Sequence, residues 1–381
     1  MPWILFLKRT IPAAVRHRLD WLLRPLWALP RCILILLGAC PQGGGAQVFY
    51  GHGRIPDPHE QIHGGLVKFQ RMQEEFPNSP RRFNVLYMVS SQMPYGGEYV
   101  ARFARGKGAR IVWNQNGVAY PSWYGRGWEQ VNEPMARLHA DADYVFYQSQ
   151  FCKLSADRFL GERHGPWEIL YNSVDTKLFT PATMDPDPDH LVLLLGGTQY
   201  QYYRLDCALH VMASLIRRGI KAKLLVTGRL SWVFDEAEAD RQAQELVERL
   251  GLQGRVRFLG PYAQVDAPSI FRQAHLLLHT KVNDPCPGLV VEAMACGLPV
   301  VYSHSGGLPE LVGDQAGVSV PGALDWNRDV PPDVEAMAGA VVQVARDRDR
   351  YAQAARRRAM ERFDLQPWLA RHREVFAAVL R

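Results

Sequence analysis

Short apolar runs alternate with stretches of helical periodicity along most of the chain. The clearest run is NVLYMVS at Asn84–Ser90, and similar runs lie at Ala109–Trp113, Asp143–Gln148 and Trp167–Tyr171. Each has the length and apolar composition of a strand that is buried on both faces. Strands of this kind that alternate with helices predict a parallel sheet covered by helices on both sides.

The alternation restarts after a polar interruption. Residues Thr180–His190, TPATMDPDPDH, are rich in Pro and Asp and lack periodicity, which predicts a linker. The next apolar run is LVLLL at Leu191–Leu195, and further strands and helices follow it. We therefore predict two doubly wound α/β domains, at residues 46–182 and 183–365, with a C-terminal helix at about 366–381 that packs back on the first domain. Ligands of such sheets bind beyond the carboxyl ends of the strands, so we expect the site in the cleft between the domains.

The segment at residues 1–45 departs from this pattern. Its apolar run Cys32–Cys40 is far shorter than the roughly 20 residues of a membrane-spanning helix, and Pro25 and Pro30 interrupt the stretch before it. Positive charges run through the segment, whereas a signal peptide carries them before its apolar core. These charges are Arg9, Arg16, Arg18, Arg24 and Arg31. We predict a basic amphipathic segment that lies on a membrane surface; the alternative is a packed helix pair with solvated arginines.

Composition adds two constraints. The chain has 381 residues, of which 47% are hydrophobic and 22% charged, as in ordinary globular domains. Its formal charge of +6 suits anionic surfaces or substrates that carry phosphate, although a basic surface needs no special partner. None of the six cysteines forms a C-x-x-C pair, so we predict no zinc site and expect reduced thiols in the cytoplasm.

The densest chemical pattern is HTKVNDPCPGLVVEAMACGLPVVYSHSGGLPEL, which ends at Leu311. It contains two carboxylates, Asp284 and Glu292, on either side of a Pro-Gly pair at which a helix should begin. Glycine lets a ligand approach the backbone closely, and the first N–H groups of a helix bind anions. We predict a phosphate site at the N–H groups of Gly288, Leu289 and Val290. Asp284 would then accept hydrogen bonds from sugar hydroxyls, and Glu292 would hold a ribose diol.

This stretch resembles the retaining glycosyltransferases of family 4, which have the GT-B fold of two facing Rossmann-like domains. The family's hallmark is a Glu, seven residues and a second Glu, followed by A-M-A-x-G-x-P-V-V and a later G-G-x-x-E. Here Glu292 is the second Glu, and Gly306, Gly307 and Glu310 complete the later pattern. Asp284 replaces the first Glu, which keeps the charge and shortens the reach by one carbon. The resemblance covers nearly all of the chain from about residue 47.

In this family a loop after the first strand of the second domain contacts the donor diphosphate. The family usually has G-R and then K-G there, whereas this chain reads GGTQYQYYRLD, with Gly197 at the place of the first Gly and Thr198 at the place of the Arg. The loop's only basic residue is Arg204, at or next to the usual Lys, and its charge would stabilise the leaving nucleoside diphosphate. Tyr262 ends the RFLGPY stretch, after which the family contacts the base; a core or rim position is the alternative.

For the first domain the resemblance implies a Gly-Gly loop near the donor phosphates, and Gly64-Gly65 is the candidate. Asn116 stands where the family often has a His that contacts the donor sugar; an amide can hydrogen-bond a hydroxyl but cannot titrate. Aromatic residues follow at once, and they could stack on an acceptor sugar or pack in the core. The candidates for the acceptor site are Tyr120, Trp123 and Tyr124.

A metal site is a weaker possibility. Three histidines precede the Gly-Gly pair, at His52, His59 and His63, but no D-x-D sequence accompanies them. His275 and His279 have H-x-x-x-H spacing around an apolar run that predicts a strand, and no H-E-x-x-H glutamate lies between them. We therefore predict that the protein uses no metal and no other cofactor.

Taken together, these patterns predict a retaining, metal-independent glycosyltransferase. Its partners would be a nucleotide-sugar donor and a glycan or lipid-linked acceptor, with no nucleic acid. The resemblance implies a same-face substitution in which the leaving phosphate helps to deprotonate the acceptor, because no enzymic nucleophile is apparent. Two alternatives stay open: an inactive nucleotide-sugar-binding protein, which the residues at 284, 198 and 116 favour, and a nucleotide-sugar epimerase of the same fold. A nicotinamide dehydrogenase is disfavoured because neither domain's first strand precedes G-x-G-x-x-G.

Overall fold

Two parallel β-sheets organise the chain, which a computed structural model describes at residues 13–62 and 64–381, with side chains from residue 23 onward. The first sheet has the order β1-β2-β3-β4-β5 and the second β11-β10-β9-β6-β7-β8. The first sheet comprises β1 (Val48–Phe49), β2 (Val85–Val89), β3 (Arg110–Gln115), β4 (Tyr144–Tyr147) and β5 (Trp167–Ile169). The second comprises β6 (Leu191–Leu195), β7 (Ala222–Thr227), β8 (Val256–Gly260), β9 (Leu276–His279), β10 (Val300–Ser303) and β11 (Gly317–Val320).

Helices lie on both faces of each sheet. The first domain contributes α1 (Ala13–Leu37), α2 (Gly64–Met72), α3 (Gly97–Gly106), α4 (Pro121–Tyr124), α5 (Trp128–Asp141) and α6 (Gln150–Phe159). The second contributes α7 (Tyr202–Arg217), α8 (Glu236–Arg249), α9 (Ala267–Phe271), α10 (Gly288–Ala295), α11 (Leu308–Val312), α12 (Val334–Arg346) and α13 (Arg348–Arg362). The last helix is α14 (Leu365–Leu380), and residues 180–190 form neither helix nor strand.

The continuous apolar runs of the sequence are explained by burial on two sides. In β6, Leu193 and Leu195 belong to the hydrophobic cluster on one face of the second sheet, whereas Val192 and Leu194 belong to the cluster on the other. Successive side chains of a strand point to opposite faces, so a strand with helices on both sides needs an apolar residue at every position. The predicted pair of parallel-sheet α/β domains is confirmed.

The chain crosses back to the first domain at its C-terminal end. Helix α14 covers the face of the first sheet that carries Tyr87, and its Trp368 and Phe376 are buried in that cluster. His372, which is fully buried, approaches the Tyr87 hydroxyl through Nε2 at 3.1 Å. The helix therefore completes the core of the first domain, although it follows the second domain in sequence.

Helix α1 continues through Pro25 and Pro30, so the interruption expected from these residues is wrong. Each proline removes one backbone donor, and packing against α3 keeps the segment helical despite that cost. The contact with the first domain is close: a Cβ added at Gly96 would lie 2.5 Å from the Arg24 carbonyl oxygen and 2.9 Å from the Ala28 Cβ. One side of α1 is therefore part of the domain's core.

We predict that Phe376→Ala lowers the free energy of unfolding by about 3–5 kcal/mol, the usual cost of removing a buried phenyl ring. Phe376 is fully buried, and its ring centroid lies 5.1 Å from that of Phe76 on the first domain. Urea unfolding followed by tryptophan fluorescence measures the change. The matched control is Met360→Ala, because this side chain is 50% exposed on α13 and its loss should change stability by about 0.5 kcal/mol or less. Equal effects of the two substitutions would contradict the packing of α14.

Candidate active site

A cavity of about 400 Å³ lies between the two domains. Its walls are loops at the carboxyl ends of strands in both sheets, as expected for open parallel sheets. Asn116 follows β3 of the first domain, whereas Thr198, Tyr262 and Lys281 follow β6, β8 and β9 of the second. The fold thus brings together residues that are far apart in the sequence.

Most of the predicted site residues line this cavity. They are Gly64, Gly65, Asn116, Gly197, Thr198, Arg204, Tyr262, Asp284, Gly288, Leu289 and Glu292. Val290 does not, because its side chain is fully buried in the core of the second domain. Its backbone N–H donates to the Pro287 carbonyl at 3.1 Å, since the first turn of α10 closes tightly. The Val290 N–H is thus engaged within the helix in this structure, whereas the N–H groups of Gly288 and Leu289 remain at the start of the helix.

The three aromatic candidates for the acceptor site separate in the structure. Tyr120 is only 6% exposed, and its ring packs edge-on against Trp326 of the second domain at 4.9 Å. This packing corrects its predicted role as a stacking surface, because its faces are covered by protein. Tyr124 is exposed but does not line the cavity. Trp123 does not line the cavity either, although its ring lies 4.9 Å from the ammonium of Lys281, which does.

Asp284 is held on both of its carboxylate oxygens. Lys281 Nζ donates to Oδ1 at 2.9 Å, and His279 Nε2 to Oδ2 at 3.1 Å. Burial by itself would raise the pKa of Asp284, but the Lys281 ammonium and the His279 ring outweigh it and hold the pKa well below its usual range. Asp284 is therefore an ionised acceptor at the wall of the cavity, and each oxygen keeps a lone pair for a ligand hydroxyl.

The Gly306-Gly307 pair supports the loop that carries Asp284. The Gly307 N–H donates to the Asp284 carbonyl at 2.9 Å, and a Cβ at Gly306 would lie 2.5 Å from the same oxygen. Asn283, at the start of the loop, has a positive φ of 51°, and its N–H donates to the Ser305 hydroxyl. The later glycines of the motif are thus required by close packing against this loop.

Glu292 joins the two domains across the cavity. Its Oε1 accepts from Arg71 Nη2 at 2.5 Å and from Gln264 Nε2 at 2.8 Å. Arg71 belongs to α2 of the first domain, and it also donates to the Ser173 carbonyl. Both contacts with Glu292 use Oε1, which leaves Oε2 for other partners. No sequence motif pointed to Arg71, because a basic residue in the last turn of a helix is usually solvated.

Arg204 lies in the cavity wall and braces its own loop. Nη1 donates to the Thr198 carbonyl at 2.6 Å and Nη2 to the Gly196 carbonyl at 3.2 Å. Its Nε has no hydrogen-bond partner among the described residues, and the side chain is almost fully buried. Arg204 therefore brings a positive charge to the predicted diphosphate loop while fixing the course of that loop.

Further basic residues line the cavity that the sequence motifs did not single out. Lys68 donates to Asn114 Oδ1 at 2.8 Å, and burial lowers its pKa to about 7. Arg229 follows β7 and is half-exposed. Lys281 could have been found, because it lies two residues beyond β9 inside the densest motif. The cavity lining contains more basic side chains than carboxylates. The five basic residues are Lys68, Arg71, Arg204, Arg229 and Lys281, and the two carboxylates are Asp284 and Glu292.

The histidine loop holds no cluster of metal ligands in the part of the chain that is described. His52 Nε2 approaches the Gln92 carbonyl at 2.8 Å, and His59 is exposed. His63 lies outside the described residues. Among residues 13–62 and 64–381, no group of three or more His, Cys, Asp or Glu side chains is arranged to hold a metal ion.

Sequence comparisons find relatives of part of the chain. Residues 189–347 match the family model described as Glycosyl transferases group 1. Over 165 residues the chain is 30% identical to D-inositol 3-phosphate glycosyltransferase of Saccharomonospora viridis, covering 40% of this chain and 38% of that protein. Over 146 residues it is 25% identical to a component of the phosphatidylinositol N-acetylglucosaminyltransferase of Arabidopsis thaliana, covering 38% of this chain and 31% of that protein. The matched region thus spans less than two fifths of the length of either relative.

Solved structures extend the likeness to both domains. Anabaena HepE in complex with UDP-glucose superposes with a TM-score of 0.65 at 20% identity, covering 78% of this chain and 79% of that one. Sucrose-phosphate synthase from Thermosynechococcus elongatus gives the same TM-score and identity, covering 81% of this chain and 77% of that one. At such identity the likeness concerns the fold, which is that of GT-B glycosyltransferases. Residues 189–347 thus match the group 1 glycosyltransferases, and the two-domain architecture of the chain is that of the GT-B fold.

Proposed function

We propose that this protein transfers a sugar from a nucleotide-sugar donor to a glycan or lipid-linked acceptor, with retention at the anomeric carbon. The observation that carries the proposal is the meeting of Asp284, Glu292 and the start of α10 on one wall of the cavity between the domains. A carboxylate for the sugar, one for the ribose and a helix N-terminus for the phosphates are the elements that a nucleotide sugar requires.

The diphosphate would lie at the start of α10. This helix has no side-chain cap at Pro287, so its first N–H groups are available to an anion and its dipole favours one. The excess of basic over acidic side chains around the cavity adds a positive potential. Arg204 would stabilise the charge that builds on the leaving nucleoside diphosphate.

The two carboxylates would fix the remainder of the donor. Asp284 is ionised, so it can accept hydrogen bonds from sugar hydroxyls next to the reacting carbon. Glu292 would accept from a ribose hydroxyl through Oε2, because Oε1 is engaged by Arg71 and Gln264. Tyr262 and Asn116 also line the cavity. Tyr262 would lie near the base, and Asn116 would bond a hydroxyl of the sugar from the first domain.

The chemistry would be a same-face substitution. The bond between C1 and the diphosphate oxygen breaks while the acceptor oxygen approaches from the same side, and the leaving phosphate oxygen takes the acceptor's proton. This route is supported by the residues available, because Asn116 cannot transfer a proton and Asp284 is held on both oxygens. No step of this route needs a metal ion, since the N-terminus of α10 and the basic side chains would neutralise the charge of the phosphates.

The acceptor proposal rests on α1. One side of this helix packs on α3, but the other side exposes an apolar stripe at one-turn spacing, formed by Leu26, Leu29, Ile33, Leu36 and Leu37. We propose that this stripe inserts into the surface of the inner membrane face, where a lipid-linked acceptor would be met. In the described residues no helix is long and apolar enough to cross a membrane.

The arginines of the segment contribute differently than the sequence predicted. Arg24 pairs with Glu98 at 3.4 Å, and Arg31 Nε donates to the Gly51 carbonyl at 3.1 Å. Arg9 lies outside the described residues, as do the side chains of Arg16 and Arg18. The proposal of membrane attachment therefore depends mainly on the apolar stripe.

We predict that Glu292→Ala and Arg204→Ala each lower kcat by about 10²–10³-fold, which corresponds to roughly 2–4 kcal/mol of transition-state stabilisation. Donor hydrolysis and transfer would be measured with the nucleotide sugar that most stabilises the wild type in a thermal-shift panel. Glu361→Ala is the matched control, because this glutamate is exposed on α13 outside the cavity. Near wild-type turnover in either variant would remove that residue from the site. A wild type that binds donors but neither hydrolyses nor transfers them would favour the inactive binding protein.

A second prediction concerns metals. Activity should survive exhaustive treatment with EDTA, since the proposed mechanism neutralises the phosphates with protein groups. The measurement compares initial rates before treatment, after it, and after addition of magnesium or manganese. Loss of activity that either ion restores would contradict metal independence and direct attention to His52, His59 and His63.

A third prediction tests the apolar stripe. The triple substitution Leu29→Ser, Ile33→Ser and Leu36→Ser should lower binding to anionic liposomes by about tenfold or more, because it removes most of the inserted apolar surface. Flotation on a density gradient measures binding, for vesicles with and without anionic lipid. The matched control removes three exposed apolar residues elsewhere, by Leu154→Ser, Leu178→Ser and Met184→Ser.

Removal of the whole segment, in a chain that starts at Gly43, provides a further comparison. This chain should float less than the full one. Equal flotation of the two chains, or no flotation of either, would contradict membrane attachment, and the proposed lipid-linked acceptor would lose its basis.

A further inference from the structure

We propose that Lys281 is the second diphosphate-binding cation of the donor site, a role for which the stretch from the end of β6 to the first turn of α7 offers only Arg204. The inference rests on the proposed function and assigns a catalytic residue that none of the sequence motifs identified. It depends on where Lys281 is fixed, on which of its donors are free, and on its link to Asp284.

Lys281 is fixed against the predicted diphosphate loop by the residues on both sides of it. The Thr280 hydroxyl donates to the Arg204 carbonyl at 2.8 Å. The Val282 N–H donates to the Tyr203 hydroxyl at 3.1 Å. Residues 203 and 204 form the first turn of α7, so Lys281 projects from a backbone that is tied to the end of that loop.

The charge of Lys281 is better placed for a ligand than that of Arg204. Arg204 uses Nη1 and Nη2 on the carbonyls of its own loop, and only 5% of its surface is exposed. Lys281 gives one of its three N–H donors to Asp284, and its side chain is 18% exposed at the cavity. The Trp123 ring lies 4.9 Å from the ammonium and restricts its position on one side.

The link to Asp284 connects the two ends of the donor. Asp284 would hold the sugar, and the Lys281 ammonium lies 2.9 Å from its carboxylate. The ammonium would therefore be close to the bond between the sugar and the diphosphate. As that bond breaks, negative charge develops on the diphosphate oxygen. An ammonium beside that oxygen stabilises the charge without taking part in proton transfer. Lys281 would thus supply the cation that Thr198 cannot.

The experiment measures affinity for a nucleoside diphosphate and for the matching nucleoside. UDP, GDP and ADP are compared by thermal shift, and the one that stabilises the wild type most is titrated by calorimetry together with its nucleoside. Lys281→Met should weaken binding of the diphosphate by about 10- to 100-fold, as expected for a lost charge-assisted hydrogen bond, and should leave binding of the nucleoside unchanged. Lys281→Arg should restore most of the affinity.

Two controls separate direct contact from indirect effects. Lys223→Met removes a lysine of the same domain that also pairs with an aspartate, Asp187 at 2.7 Å, but lies outside the cavity; its binding should match the wild type. In the Asp284→Asn background, Lys281→Met should still weaken diphosphate binding by a similar factor. If the effect vanishes in that background, Lys281 acts only by positioning Asp284, and the inference is overturned.

The remaining outcomes are also decisive. Unchanged diphosphate affinity in Lys281→Met overturns the inference and leaves the proposed function in place. Equal losses for diphosphate and nucleoside indicate a general disturbance of the site and overturn it as well. If the wild type binds none of the three nucleoside diphosphates, the proposed function itself fails, and the inference fails with it.

Discussion

The geometry of the site depends on the space left by the missing side chains of Gly306 and Gly307. A Cβ at Gly306 would lie 2.5 Å from the Asp284 carbonyl oxygen, and one at Gly307 would overlap the Pro285 carbonyl. Because both residues are glycines, the loop that carries Asp284 packs directly on the backbone of Gly306 and Gly307. Two carbonyls of this loop contact the first domain: that of Pro285 accepts from the Ser149 hydroxyl at 2.7 Å, and that of Cys286 accepts from Asn172 at 2.6 Å. Glu310 then accepts from the first two N–H groups of α6. The G-G-x-x-E pattern therefore contributes contacts between the two domains and also determines the course of the loop that carries Asp284.

The two domains contribute different groups to the cavity. The second domain supplies the helix N-terminus and both carboxylates, whereas the first supplies Lys68 and Arg71. The contact of Arg71 with Glu292 crosses the cleft. The Arg71 side chain is only 12% exposed and that of Glu292 only 7%, so solvent screens this ion pair little. Because Glu292 is the proposed ribose ligand, the same carboxylate contributes both to domain contact and to donor binding.

The sequence predicted the elements whose environment is local and left out those that depend on distant neighbours. Apolar runs identified the strands because β6 and β2 are buried on both faces and so carry an apolar residue at every position. The continuous helix α1 was missed, because the packing that holds it through two prolines comes from α3, about 60 residues further along. Tyr120 was misplaced for the same reason: the ring that covers it, Trp326, belongs to the other domain. The motif at 279–311 located Asp284 and Glu292, but the partners of Glu292 could be found only in the folded chain.

The return of α14 to the first domain has a consequence for how this architecture can be recombined. A chimera that exchanged everything after residue 183 for the donor domain of a relative would also remove Trp368, His372 and Phe376, and so uncover one face of the first sheet. The exchangeable unit is instead an internal segment that ends near Phe363. There the Val174 N–H donates to the Phe363 carbonyl at 2.8 Å, so the segment by which the chain leaves the first domain lies beside the one by which it returns. The second domain is thus an insertion within the first, and both of its ends must be matched for a hybrid to fold.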